Sequence, residues 1–220
     1  MSKLSVDNVG YRYKNSSRMA LDDVSCRFES GQLTAITGPS GSGKSTLLSI
    51  LAGLDTPTAG VIYLDEASLQ QKDLDQYRRE DIAMIFQAFQ LFPLLTVLEN
   101  VCYPMELNGM KPRGAKVRAA ALLESVGIGQ EKHKRYPSHL SGGEQQRVAI
   151  ARSLASGAKV LLADEPTGNL DVENSNRVMD ILLNLAHQQG YCVIVVTHDM
   201  EIAEKADAVY RLRDGKLMTD

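Results

Sequence analysis

The fold class this sequence predicts is α/β, a mainly parallel sheet flanked by helices, and three observations predict it. The first is the glycine-rich run Gly38-Pro39-Ser40-Gly41-Ser42-Gly43-Lys44-Ser45-Thr46, which matches GxxxxGK[ST] and lies between the short apolar run Leu33–Thr37 and a helical pattern over 44–54. The second is a pair of continuous apolar runs, Val160–Ala163 and Cys192–Val196, which read as parallel strands buried on both faces. Between them Val178, Ile181, Leu182 and Leu185 supply one apolar helix face. The third is the stretch 88–156, periodic only at helical spacing, which reads as an insertion into the α/β core.

The chain has 220 residues, 44% of them hydrophobic, enough for one large domain with a substantial core. Residues 1–87 and 157–220 are assigned to the core with a small β subdomain, and 88–156 to a helical subdomain. A net charge of −3 offers no electrostatic footprint for nucleic acid, so no nucleic-acid partner is expected. Cys26, Cys102 and Cys192 are far apart and lack metal-ligand spacing, which fits buried thiols in a reducing compartment rather than disulfides or zinc. Met1-Ser2-Lys3-Leu4 opens no secretory h-region, and no apolar run reaches the length of a membrane span. The chain is expected to be soluble and cytoplasmic.

Taken in order, 4–13 and 21–29 partly alternate apolar and polar and are separated by Asn15-Ser16-Ser17, which predicts two antiparallel strands. After the helix over 44–54, Pro57-Thr58-Ala59-Gly60 predicts a turn and Val61–Leu64 a strand. A polar helix over 73–80 and the strand Ile82–Phe86, ending at Gln87, come next. Helices are predicted near 96–107, 113–126 and 142–156, with Lys132-His133-Lys134-Arg135 as a solvated helix end. The tail, Ala208–Leu212 and Gly215–Met218 around Asp214-Gly215, predicts a closing hairpin.

The chemistry of the glycine-rich run follows from its residue types. Glycines let consecutive backbone N–H groups turn inward around a polyphosphate, and the helix start that follows favours anions. Lys44 supplies positive charge to the β/γ-phosphates and Ser45 a hydroxyl to Mg²⁺. Val160-Leu161-Leu162-Ala163-Asp164-Glu165 has the form of a Walker B strand. In that role Asp164 orients Mg²⁺ and Glu165 polarises the attacking water as general base. In Leu140-Ser141-Gly142-Gly143-Glu144-Gln145-Gln146, Ser141 and Glu144 fit a capping box, and the two glycines leave backbone N–H groups uncovered.

That last phrase, between the glycine-rich run and the Walker B strand, makes the whole chain resemble the ATP-binding-cassette family, P-loop NTPases with a RecA-like core. The resemblance implies an active ATPase using ATP and Mg²⁺. It places nucleotide contacts at Tyr13, Gly38, Ser40, Gly41, Gly43, Lys44, Ser45 and Thr46, with Tyr13 as a base-stacking aromatic. The same resemblance adds Ser141, Gly142, Gly143, Glu144 and Asp171 to the nucleotide contacts, with Ser141 and Gly143 expected to cap the γ-phosphate bound by the second copy of a homodimer. Gln87 links Mg²⁺ to a membrane partner, so the implied metal set is Ser45, Gln87 and Asp164. His198 is the implied γ-phosphate switch and joins Glu165, Lys44 and Gln87 in the catalytic set. His133, His139 and His187 match no such position and are expected at the surface. Gly168-Asn169-Leu170-Asp171 and Gly53-Leu54-Asp55-Thr56-Pro57-Thr58-Ala59-Gly60 resemble the branch that includes lipoprotein release, macrolide, peptide or haem efflux and FtsE-type complexes. An integral membrane permease subunit is the implied partner, and would hold the chain at the inner face of the cell membrane. Phe89, Leu91, Phe92, Leu94 and Leu95 either pack the inserted helices or form the docking surface for that subunit. The alternatives are an importer ATPase and a soluble cassette with a non-transport partner.

Overall fold

The computed structural model describes residues 3–14 and 16–218. Asn15, expected in the first turn, and Met1 and Ser2 of the N-terminal reading lie outside the described residues. Two sheets carry the chain. The smaller is antiparallel, with β1 (Leu4–Tyr11), β2 (Leu21–Phe28), β4 (Ala59–Leu64) and β5 (Ala67–Ser68) in the order β2-β1-β4-β5. Strict alternation would put Val6 and Val9 on opposite faces, yet both are fully buried. Register shifts between them, with Asn8 at φ 50, return Val9 to the core.

The larger sheet holds β3 (Leu33–Thr37), β6 (Ile82–Phe86), β7 (Val160–Asp164), β8 (Cys192–Val196), β9 (Ala208–Arg213) and β10 (Lys216–Met218) in the order β10-β9-β3-β8-β7-β6. The five strands from β9 to β6 run parallel, and β10 closes the edge antiparallel to β9. The expected hairpin is present, with Asp214 (φ 49) and Gly215 (φ 82) in its turn. Both sheet faces are covered. Ile36, Val160, Leu162, Ile194 and Val196 enter the core shared with the small sheet, whereas Ala163, Leu161, Val193 and Val195 enter the core under the helices. Alternation therefore exists in space but not in hydrophobicity, which is why the sequence shows unbroken apolar runs.

Helix α1 (Lys44–Leu51) is shorter than the predicted 44–54, because the chain turns at Gly53 with φ 67. Strand β4 begins at Ala59, inside the predicted turn. The polar helix over 73–80 is a single turn, α2 (Leu74–Gln76), running into a π-helical turn at Tyr77–Asp81. This segment is less solvated than its composition implied. Tyr77 is buried and its hydroxyl donates to Leu51 O at 2.7 Å, while Arg78 donates to Gly53 O, so it supplies partners for carbonyls at the C-terminal end of α1.

The three inserted helices are α3 (Val97–Leu107), α4 (Pro112–Ser125) and α5 (Gly142–Ala155). The last packs on α3 and α4 and also on β6 and α6 (Val172–His187), and α7 (Met200–Ala203) follows β8. The run expected as a solvated helix end instead supports α3. His133 O and Arg135 O accept from Leu98 N–H and Val97 N–H, and Lys132 pairs with Glu144. His133 itself is buried, contrary to the surface position expected for it, because these bonds draw its backbone against α3. All three cysteines are buried free thiols, and burial pushes those of Cys26 and Cys192 up to about 12. Among the described residues no helix is long and apolar enough to cross a membrane.

Candidate functional site

The site begins where β3 ends. Gly43 is the N-cap of α1 at φ 107, and a Cβ there would lie 2.5 Å from Ala20 O, so only glycine fits. No side chain caps this helix, which leaves N–H groups of its first turn to a ligand. Lys44 Nζ donates to Gly38 O at 2.7 Å and Pro39 O at 3.0 Å, folding the ammonium back over the loop.

Parallel pairing brings the other motifs beside this loop. β8 lies between β3 and β7, with Val196 opposite both Ile36 and Asp164. The residues following all three strands meet at one edge, outside the carboxyl ends of the strands. A cavity of about 430 Å³ opens there, lined by Tyr13, Ser40, Gly41, Gly43, Lys44, Ser45, Thr46, Asp164, Glu165 and His198, together with Ala20 and Val196. Its size falls in the range of small-molecule pockets. Glu165 has φ 46, a left-handed conformation uncommon for a side-chain-bearing residue, fixed by its N–H donating to Val196 O at 2.9 Å. Its Oε1 lies 2.8 Å from His198 Nδ1. Burial, and then the adjacent Glu165 charge, hold the Asp164 carboxyl above its ordinary pKa, with Lys44 opposing both. Tyr13 is half exposed at the cavity rim, its hydroxyl 2.9 Å from Thr46 Oγ1 and its ring edge-on to Tyr11.

The remaining predicted residues gather elsewhere. Gly38 adjoins the cavity only through its carbonyl on Lys44, while Gln87, Ser141, Gly142, Gly143, Glu144 and Asp171 do not line it. They form a second cluster where β6, α5 and α6 begin or end. Ser141 and Glu144 make the predicted capping box on α5, and Glu144 Oε1 also takes Lys132 Nζ at 2.6 Å. This bond, outweighing the effect of burial, lowers the Glu144 pKa. Asp171 caps α6 by accepting from Asn174 N–H at 2.8 Å. Gln87 O accepts from Asn169 Nδ2 at 3.0 Å, and a Cβ on Gly168 would lie 2.7 Å from Gln87 Nε2.

Several residues of this cluster were not singled out from sequence. Gln146, fully buried, donates to Pro166 O at 2.7 Å and Phe86 O at 3.3 Å, tying α5 to the ends of β7 and β6. Asn174 and the buried Arg147 bridge α6 and α5 at 3.3 Å. Only Gln146 lay inside a recognised phrase; the others carry no local signal.

Among the described residues no group of three or more His, Cys, Asp or Glu side chains is arranged to hold a metal ion. The oxygens lining the cavity include the Ser45 hydroxyl and the Asp164 carboxylate. That donor set suits Mg²⁺, which keeps several waters and binds through substrate phosphates plus one or two protein oxygens.

Residues 21–168 match the family model described as ABC transporter. The lipoprotein-releasing system ATP-binding protein LolD of Rickettsia bellii is 43% identical over 216 residues, covering 97% of this chain and 96% of that protein. The macrolide export ATP-binding/permease protein MacB of Brucella melitensis is 44% identical over 203 residues, covering 91% of this chain and 31% of its own length. Among solved structures, a bacterial ABC transporter cassette in dimeric form matches with TM-score 0.88 and 38% identity over 98% of this chain and 97% of that one. The same cassette in a post-hydrolysis state bound to ADP and Pi matches equally well.

Proposed function

This chain belongs to the ABC transporter family, as an ATP-binding subunit that hydrolyses ATP, and from that premise we propose that two copies dimerise head to tail around two ATP molecules and drive a separate membrane permease. The resemblance to LolD and MacB favours a lipoprotein-release or efflux system. One observation carries the reading: the Lys44–Glu165 cavity and the Ser141–Asp171 cluster are separate within one chain. Each is half of a site, and head-to-tail pairing joins one to the other.

In this reading the uncapped start of α1 and Lys44 bind the β- and γ-phosphates, and Tyr13 stacks on the base. Ser45 and Asp164, with Gln87 added by the family resemblance, would hold Mg²⁺, which when bound would neutralise phosphate charge. Glu165 takes the proton from the attacking water, and His198, held by Glu165, orients it toward the γ-phosphate. From the partner copy, Ser141 and the N–H groups at Gly142 and Gly143 stabilise the charge on that phosphate. The permease would dock in a groove of about 490 Å³ between core and helices, lined by Leu54, Met84, Phe92, Tyr103, Pro104 and Arg152. Phe92 and Leu94 are exposed there and nearby, whereas Leu91 packs against the core, so the two readings of this apolar segment divide by residue.

Mixing two inactive chains tests the shared site. A Lys44→Ala chain and a Ser141→Arg chain each lack one half, but a heterodimer keeps one complete site. Activity should return on mixing toward the statistical share of such heterodimers. Absence of any return, with both chains folded and heterodimers shown by cross-linking, refutes the arrangement.

A further inference from the structure

Asn174, in the first turn of α6, has both ends of its side-chain amide engaged. Its Nδ2 donates to both carboxylate oxygens of Asp171, at 3.0 and 2.9 Å. Its Oδ1 accepts from Arg147 Nη1 of α5 at 3.3 Å. The same Oδ1 lies where a side chain on Gly143 would go: a Cβ there would be 2.1 Å from Oδ1 and 2.3 Å from Cγ of Asn174. One amide therefore touches Gly143 in the first turn of α5, a buried arginine of α5, and the aspartate that caps α6.

We propose that Asn174 is a positioning residue for ATP hydrolysis, clamping the Gly142-Gly143 start of α5 to Asp171 so that both segments meet the partner's nucleotide as one rigid unit. The proposal rests on the shared-site reading above. It gives Gly143 a reason to lack a side chain besides leaving its N–H open to phosphate, since the volume is already filled by Asn174. A helix-capping role does not account for the geometry. The cap of α6 is the Asp171 carboxylate accepting from the backbone N–H of Asn174, and that bond survives replacement of the Asn174 side chain. What the side chain adds is the bridge to α5. Removing it leaves Arg147, which is nine-tenths buried, without this acceptor and frees Asp171 from two of its three bonds to Asn174.

The test uses the full chain under dimer-forming conditions. Asn174→Ala should keep the affinity for a fluorescent ATP analogue within about twofold while kcat falls about tenfold or more, because the Lys44 cavity is untouched and hydrogen bonds to charged groups are lost in the other half. Asn174→Asp should be no better, since it can accept from Arg147 but sets a second carboxylate against Asp171. The double variant Gly143→Ala/Asn174→Gly should recover at least about fivefold in kcat over Gly143→Ala alone, because it removes Oδ1, Cγ and also the Asn174 Cβ, which would lie 2.8 Å from the new methyl. In mixing experiments the defect should travel with Ser141: an Asn174→Ala chain should restore activity to a Lys44→Ala chain and not to a Ser141→Arg chain. A kcat per folded Asn174→Ala molecule within about twofold of wild type, even with a lowered Tm, overturns the clamp, as does a double variant no better than Gly143→Ala. Failure of the shared-site reading itself shows separately, as absence of complementation between Lys44→Ala and Ser141→Arg.

Discussion

Replacing Glu165 with Gln changes one oxygen to an amide nitrogen at the residue whose geometry is most tightly determined in the cavity. The backbone is held by Val196 O, the side chain is only 17% exposed, and Oε1 sits 2.8 Å from His198 Nδ1. The Gln side chain can occupy the same volume and still accept from His198 through its carbonyl oxygen. The bond lost is the contact of His198 N–H with Oε2, long at 3.4 Å and therefore weak. Neutralising Glu165 also removes one of the two causes that raise the Asp164 pKa, so the carboxylate proposed for Mg²⁺ ionises more readily. Neither folding nor nucleotide binding should suffer. The proposed proton acceptor, however, is gone. A positioned general base contributes about 10²–10⁴-fold, which is about 3–5 kcal/mol of activation free energy. Phosphate release at saturating ATP and Mg²⁺ should fall by that factor, while the thermal midpoint and nucleotide affinity hold and an ATP-bound dimer accumulates on size exclusion. Turnover within about threefold of wild type would remove Glu165 from the base role. Loss of nucleotide binding along with turnover would show that the side chain supports the cavity instead.

Other parts of the structure predict other outcomes. Tyr77→Phe leaves Leu51 O, at the end of α1, without its buried partner, at a cost of about 2 kcal/mol; calorimetry should show Tm lower by about 6 °C, and an unchanged midpoint would refute the capping role. Leu94→Glu, at a side chain 86% exposed, should leave the ATPase activity of the isolated subunit intact and abolish co-purification with the membrane subunit; an intact complex would place docking elsewhere. Glu144→Gln removes the ion pair with Lys132, worth about 1 kcal/mol where both groups are partly buried. Because the folded-state carboxyl of Glu144 lies below its ordinary value of 4.5, the wild-type advantage should be full above that pH and vanish as pH falls through the lowered pKa; an advantage that persists in acid would mean the pair is not its source.

Most of the parallel sheet was legible because each strand is announced locally, by an apolar run bounded by turn residues. The bounds of β3, β6 and β8 agree with the runs that predicted them. Apart from shifted ends such as that of α1 at the Gly53 turn, the failures share one cause, a partner distant in sequence. Nothing near Tyr77 shows that it caps α1, so its segment read as a polar helix. His133 read as a surface residue because it matches no functional position of the family, whereas its burial follows from two backbone bonds to the start of α3. The site divided in the same way. Most residues lining the cavity stood in the glycine-rich and Walker B motifs, with Tyr13 and His198 reached only through the family resemblance, but Asn174 and Arg147 meet across 27 positions of sequence with no motif to announce the contact.

What periodicity could not supply was strand order, and strand order decides how the motifs communicate. The glycine-rich loop and the Walker B carboxylates follow β3 and β7, which are not neighbours; β8 separates them. Its end is bonded to both sides. Thr197 N–H donates to Ile36 O at 3.1 Å, Glu165 N–H donates to Val196 O at 2.9 Å, and His198 then meets the Glu165 side chain. The route from the glycine-rich loop to the proposed general base therefore runs across the tip of β8 through backbone bonds, which side-chain substitution leaves largely in place. Only the last step, from His198 to Glu165, is made by side chains. Variation at His198 should accordingly alter the orientation of the base without disturbing the loop that binds phosphate, which separates turnover from nucleotide affinity at this residue.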